Sequence, residues 1–364
     1  MKAPQRVLVI VTRRIGDVLL ATPLIRSLKQ AWPQTQIEAL VFAGTESIIA
    51  ANPDLRSVIT IAERPGLWRH LKLVAGLLRR YDLAVSCLPG DRPTLYAWLF
   101  GKRRIGPLLD DPKHRWKKNL LSQWAFFDNL NTHTALMNLK LAELLFVPKR
   151  YEVVVSWSDA TAAYLDELLS RQAPKQRLAV LHLYPKFNYK MWHVQGWSEL
   201  ARWLADHGLR VVLTGSSEAE ELGYIEKIMP LLPRNTLNLA GRLNLQQAAC
   251  LLSRAVIYVG PDTVVTHLAA AVGVPTVALY GPSNPVKWGP WPKSHNVEHN
   301  PWKRLGTQRV GNVVLLQGPG ACVPCLLEGC DRHTASFSDC LQNLKSEKVI
   351  AAMQTLLQQN TISA

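Results

Sequence analysis

The stretch VIYVGPDTVVTHLAAAVGVPTVALYGPSNP, residues 256–285, decides the fold. Its first apolar run, 256–259, meets a tight break at Gly260-Pro261. Asp262 and Thr263 follow, and a helical pattern covers 264–272. A second apolar run, 276–279, ends at Tyr280-Gly281-Pro282. Short apolar runs bounded by Gly and Pro read as buried strands, so the order is strand, turn, helix, strand. The start of such a helix presents backbone N–H groups with no intrahelical partner, and an anion can sit there.

The N-terminus carries a matching device. Residues 7–11 read as a strand, 12–16 as a loop and 17–31 as a helix, which places Asp17 at the mouth of a cleft. An acidic group at one strand end and an anion cradle at another predict two α/β domains facing each other.

Length agrees, because 364 residues suffice for two cores. Hydrophobic content of 48% with 19% charged residues excludes a disordered chain. The formal net charge of +15 favours an anionic partner: nucleic acid, an anionic membrane surface or a phosphorylated substrate. No apolar run is long enough to span a membrane. The first is broken by Arg13 and Arg14, with no cleavage pattern behind it, so the expectation is a cytoplasmic protein without a signal peptide. Cys87 and Cys250 stand alone in apolar surroundings and read as buried thiols.

Strand and helix patterns alternate along both halves, which predicts parallel, doubly wound sheets. In the first half strands are expected at 7–11, 37–41, 58–61 and 82–87, with a basic helix at 67–79. Residues 111–132 read as irregular. The polar, Pro-containing segment 171–176 is the expected linker. The predicted division is 1–172, 177–345 and a C-terminal helical segment, 346–364.

Three places carry candidate chemistry. Asp17 is either a helix N-cap or a base, with Arg13 and Arg14 beside it. The segment LHLYPKFNYKMWHVQGW, 181–197, follows a strand and precedes a helix, on the carboxyl edge where α/β proteins bind ligands. Lys190 within it is either a solvated lysine or a point charge for a diphosphate. Glu218, after Thr214-Gly215-Ser216-Ser217, either favours a helix start or accepts hydrogen bonds from ribose hydroxyls.

RRIGDVLLATPLIRSLKQAWP (13–33), YKMWHVQGWSELARWL (189–204) and GPDTVVTHLAAAVGVPTVALYGPSNPVKWGPW (260–291) together resemble the bacterial ADP-heptose:lipopolysaccharide heptosyltransferases, glycosyltransferase family 9. The order and spacing of the three stretches also match, over nearly the whole chain. VKWGPW makes the heptosyltransferase III type the nearest resemblance. The resemblance implies a GT-B fold, two Rossmann-like domains with an N-terminal acceptor side and a C-terminal nucleotide-sugar side. It implies an inverting transfer from ADP-heptose to the inner core of lipopolysaccharide that needs no catalytic cofactor. Asp17 becomes the general base. Lys190 meets the donor phosphates, and Asp262, Thr263 and the N–H groups after them hold the sugar and diphosphate, with His267 and Glu218 also on the donor side. His193 departs from the family, which usually has Pro at that place.

The basic segments 64–72 and 102–118 read as a surface for an anionic, phosphorylated lipid acceptor, with Arg13, Arg14, Lys102, Arg103 and Arg104 as acceptor-binding residues. The enzyme would then sit at the cytoplasmic face of the inner membrane. Cys322, Cys325, Cys330 and Cys340 lie within nineteen residues and suggest a structural zinc or iron site, or else reduced or partly disulfide-linked thiols. That cluster also points toward a protein acceptor, since some protein-modifying heptosyltransferases hold a Cys-ligated iron. A third reading, a basic metal-containing nucleic-acid-binding protein, lacks an interleaved basic-aromatic motif, so no nucleic acid is expected as partner. No G-x-G-x-x-G follows the first strand, which counts against an NAD-linked oxidoreductase.

Overall fold

The first sheet is built from β1 (Arg6–Val11), β2 (Gln36–Phe42), β3 (Ser57–Ile61), β4 (Tyr81–Ser86), β5 (Gly101–Leu108) and β6 (Gln123–Phe126), in the order β3-β2-β1-β4-β5-β6. Every pairing is parallel. The helices are α1 (Ile15–Leu19), α2 (Thr22–Ala31), α3 (Leu67–Leu77), α4 (Asp91–Phe100) and α5 (Thr134–Glu143). In β1 every residue after Arg6 is buried, as expected of a strand covered on both faces.

The second sheet comprises β7 (Arg177–His182), β8 (Leu209–Thr214), β9 (Leu237–Asn238), β10 (Ala255–Pro261), β11 (Thr276–Tyr280), β12 (Gln308–Val310) and β13 (Val313–Gln317). Its order is β12-β13-β11-β10-β7-β8-β9. Only the edge pair β12–β13 runs antiparallel among the described residues. Its helices are α6 (Asp159–Gln172), α7 (Val194–Asp206), α8 (Ala219–Ile228), α9 (Leu245–Arg254), α10 (Val264–Val272), α11 (Pro285–Trp288), α12 (Asp339–Gln342) and α13 (Ser346–Ile362). Val349, Met353 and Leu356 of α13 enter the same apolar core as Trp192 and Trp197.

This computed structural model describes residues 3–362, with side chains through 358; residues 363–364 of the expected C-terminal segment lie outside the described residues. The chain forms two units, Met1–Ser156 with Asn296–Asn300, and Trp157–His295 with Pro301–Ala364. The segment 171–176, the last two residues of α6 and the loop into β7, thus lies inside the second unit. The reason is α6, which packs on α9, where Arg254 meets Asp166 at 3.1 Å. The short return segment belongs to the first unit. There Lys149 Nζ reaches Glu143 at 2.6 Å and also pairs with Glu298.

Both sheets share one winding plan. The strand order reverses between β1 and β4 in the first and between β7 and β10 in the second. Connections leave these neighbouring carboxyl ends on opposite faces, which opens a crevice.

The structure departs from the sequence reading in three places. The helix expected at 17–31 is two helices, because Pro23 opens α2 and Thr22 Oγ1 donates to the Leu19 carbonyl at 2.7 Å. The irregular segment 111–132 contains a 3₁₀ turn, Pro112–Asn119, and the edge strand β6. Residues 151–156, which the sequence reads as extended, join neither sheet among the described residues.

Candidate functional site

In the first unit, β1 hands over through Arg13 and Arg14 to α1. Arg14 is the N-cap residue, and Asp17 is the third residue inside the helix. The capping role open to Asp17 is therefore filled by another residue. The residue is 5% exposed, with Arg13 Nε 3.7 Å from Oδ2. The loop after β4 comes close. Burial, and then the Asp17 charge, push the Cys87 thiol up. That loop is held by Lys117, which is fully buried. Its ammonium donates to the Pro89 carbonyl at 2.6 Å and reaches Asp91 at 2.6 Å and His114 Nδ1 at 3.0 Å. The Thr12 hydroxyl beside this switch point is buried with no partner among the described residues. Neither Lys117 nor Thr12 had a signal in the sequence beyond lying near strand ends.

Lys102, Arg103 and Arg104 are elsewhere. They open β5, and register pairs Arg103 with Leu83, which in turn pairs with Val7. That is the amino edge of the sheet, whereas Asp17 lies beyond its carboxyl edge. Lys102 meets Asp82 at 3.1 Å, Arg103 bonds Gln123, and the Arg104 amide donates to Ser122 Oγ at 3.1 Å. The three cations are thus not brought to Asp17. Lys102→Gln is accordingly expected to leave the acceptor KM within about twofold of wild type in steady-state assays, as for other surface changes away from a site.

The second unit assembles its polar groups at its own switch point. Gly260 is the next-to-last residue of β10, and a Cβ there would run into the buried Tyr258 ring and hydroxyl. Asp262 follows, buried. Lys190 Nζ donates to its Oδ2 at 2.6 Å, and Ser283 Oγ donates to the same oxygen at 2.7 Å. The Tyr280 hydroxyl lies 3.2 Å from Oδ1. Burial raises the Asp262 carboxyl, but the Lys190 ammonium overrides this and holds it below the usual range. Thr263 is the N-cap of α10, and its side chain makes no capping bond. At the other end Gly273 stops the helix with φ +94°, a conformation few side chains tolerate.

His267 Nε2 is 4.0 Å from Asp262 Oδ1, and its Nδ1 is buried without a partner among the described residues. Burial lowers its pKa to about 4, against the pull of Asp262. The folded protein therefore keeps this ring neutral while the unfolded chain protonates near 6.5. Stability should fall as pH drops from about 6.5 toward 4, by roughly 3 kcal/mol at the low end. Urea titrations across that range should show His267→Gln flattening the slope; an unchanged slope would discard this account.

The loop carrying Lys190 is fixed by the residue that departs from the family. His193 is the N-cap of α7, its Nδ1 accepting from Gly196 N at 2.9 Å, while Nε2 lies 3.0 Å from the Leu344 carbonyl. Trp192 Nε1 donates to the same carbonyl at 2.7 Å. His193 thus gives this loop both a cap and an anchor.

Glu218 caps α8 from an exposed position, one turn before Glu221. Glu221 is buried, accepts from Ser216 Oγ, and keeps Oε1 unpartnered among the described residues. It is a second candidate acceptor beside Glu218, and the helical i, i+3 spacing from Glu218 was its only sequence signal. Near it His182 Nδ1 is 3.2 Å from Thr214 Oγ1, and burial lowers the pKa of this ring.

Comparison with known proteins decides the family. The model of glycosyltransferase family 9 (heptosyltransferase) matches residues 123–311, more than half of the chain. The chain belongs to that family. It is 26% identical over 296 residues to lipopolysaccharide heptosyltransferase 3 of Escherichia coli K12, covering 76% of this chain and 82% of that protein. The structure of E. coli ADP-heptose lps heptosyltransferase II is similar with a TM-score of 0.76 at 22% identity, covering 98% of this chain and 99% of that one. A family 9 glycosyltransferase from Veillonella parvula superposes with a TM-score of 0.79 at 19% identity, covering 99% of each chain. The expected α/β fold of two Rossmann-like units is what this chain has, and the two solved structures share that fold.

The expected metal is not supported. Among the described residues no group of three or more His, Cys, Asp or Glu side chains could hold an ion. Cys322, Cys325, Cys330 and Cys340 are free thiols. Cys322 and Cys330 are exposed, while Cys340 packs under Gly281 and Gly318. Burial, reinforced by the neighbouring sulfurs, pushes the Cys340 thiol to about 12. The four residues are close in sequence, but the fold uses one as a small core side chain and leaves two to solvent. No helix among the described residues is long and apolar enough to cross a membrane.

Proposed function

We propose that this family 9 glycosyltransferase moves a heptose from ADP-heptose to the inner core of lipopolysaccharide, with inversion, at the cytoplasmic face of the inner membrane. One observation carries the reading. Each sheet places its polar machinery at its switch point: a buried carboxylate in the first, and a lysine, a buried aspartate and an uncapped helix start in the second.

The chemistry follows from these groups. The acceptor hydroxyl attacks the anomeric carbon as its proton passes to the Asp17 carboxylate. The new C–O bond forms on one face while the bond to the ADP phosphate oxygen breaks on the other. ADP leaves with increased negative charge. Lys190 and the N–H groups that open α10 stabilise that charge. Lys190 has three donors, and Asp262 aims the ammonium while leaving capacity for phosphate. Asp262 and Thr263 hold the sugar and diphosphate, with His267 neutral beside them. Glu221, rather than the exposed Glu218, accepts from the ribose hydroxyls. Arg13 and Arg14 meet the anionic acceptor beside Asp17.

The test is ADP release from ADP-heptose with truncated lipopolysaccharide cores of defined length. Release that depends on one core length supports the reading. Salt-sensitive nucleic-acid retention with no ADP release on any core would replace it with the binding-protein alternative.

A further inference from the structure

We infer that α3 is a bilayer-docking helix that inserts its outer face into an anionic lipid surface. This inference rests on the proposed lipid acceptor for its choice of occupant. The segment 64–80, RPGLWRHLKLVAGLLRR, holds five Lys and Arg and no acidic residue. Within α3, His70, Leu73, Val74 and Leu77 turn inward at i, i+3, i+4 and i+7. Leu77 is buried, Leu73 and Val74 pack on the core, and His70 Nε2 lies 3.2 Å from the Tyr96 hydroxyl of α4.

That inner stripe anchors the helix and should leave a polar outer face. It does not. Trp68 is 82% exposed, Leu67 70% and Leu71 50%; Trp68 lies opposite the inner stripe, and Leu67 and Leu71 run along its exposed flank. Leu78, at the C-cap, continues this stripe and is 55% exposed. Arg69 and Lys72 border it, and neither forms an ion pair among the described residues. Exposed apolar surface of this kind marks an interaction site. An anionic leaflet matches both parts. Trp and Leu enter the head-group and acyl boundary, and the cations meet lipid phosphates. The complementarity is chemical rather than shaped, as the convex helix offers no groove for a peptide.

The test uses vesicles of phosphatidylcholine with and without phosphatidylglycerol, in sedimentation assays on the full chain. Wild type should bind the anionic vesicles, less so as salt rises. Trp68→Ser with Leu71→Ser should reduce partitioning on the order of tenfold, and Arg69→Gln with Lys72→Gln several-fold with a weaker salt dependence. Both Trp68 and Leu71 are exposed, so circular dichroism should match wild type. In the Ser variant, turnover on vesicle-embedded acceptor should fall by more than turnover on a deacylated, water-soluble core. The inference is overturned if the Ser variant sediments like wild type. It is equally overturned if Lys345→Gln with Lys348→Gln, exposed on the second unit, loses as much binding. Loss of a co-purifying protein with vesicle binding intact would assign the face to a protein partner instead. If ADP release fails on every acceptor while vesicle binding still tracks α3, the docking inference stands and the transfer reading falls.

Discussion

Asp17→Asn should lower turnover by about a hundred- to ten-thousand-fold, the usual effect of losing a general base. The side chain keeps its size, so the 5% exposed pocket stays filled. What changes is proton affinity: an amide cannot take the hydroxyl proton as the acceptor attacks. The pair with Arg13, 3.7 Å apart at i, i+4, is a weak contact and adds at most a few tenths of a kcal/mol. Thermal stability and ADP affinity should therefore match wild type. Initial rates on a defined core, with calorimetry of ADP binding, separate the two quantities. A well-folded Asn variant with near-normal rates would reduce Asp17 to an ordinary helix residue.

The second large effect concerns Lys190. Lys190→Ala should weaken ADP binding by roughly ten- to a hundredfold, the scale of one charge-assisted hydrogen bond. It should also destabilise the protein by about 3 kcal/mol, because Asp262 is then a buried carboxylate without its cation. Ser283 and Tyr280 remain as partners, so the loss stays below that of a bare charge. The two effects come apart in the double variant with Asp262→Asn, which removes the stranded charge. Melting temperature should recover in that variant, and ADP affinity should not. If calorimetry shows Lys190→Ala binding ADP like wild type, the phosphate role is lost and the lysine serves only to hold Asp262.

Much of this was readable in the residues, for a physical reason. A strand covered on both faces is an uninterrupted apolar run, so β1, β7, β10 and β11 announce themselves. Gly260 and Gly273 mark the two turns around α10 because neither place tolerates a larger residue. Hence the candidates after β1 and β10 could be placed at strand ends directly. Register is another matter. Nothing local to KRR at 102–104 says that these residues lie at the start of β5, on the edge opposite Asp17. The edge strands β6 and β12 are short and half-buried, and leave little apolar signal. The choice between Glu218 and Glu221 depends on which side of α8 meets the sheet, and a helix start alone does not show it. The spacing of the four cysteines likewise says nothing about which thiol the core buries.

The route of the chain between its two units limits how the protein can be taken apart. The polypeptide leaves the first unit after Ser156, returns for Asn296–Asn300, and leaves again. A fragment ending at 156 would therefore lack Glu298 and leave Lys149 with Glu143 alone. A fragment beginning at 157 would carry five residues whose packing partners are missing. Neither unit is a removable cassette, so exchanging acceptor specificity between relatives by swapping halves calls for two cuts and a graft.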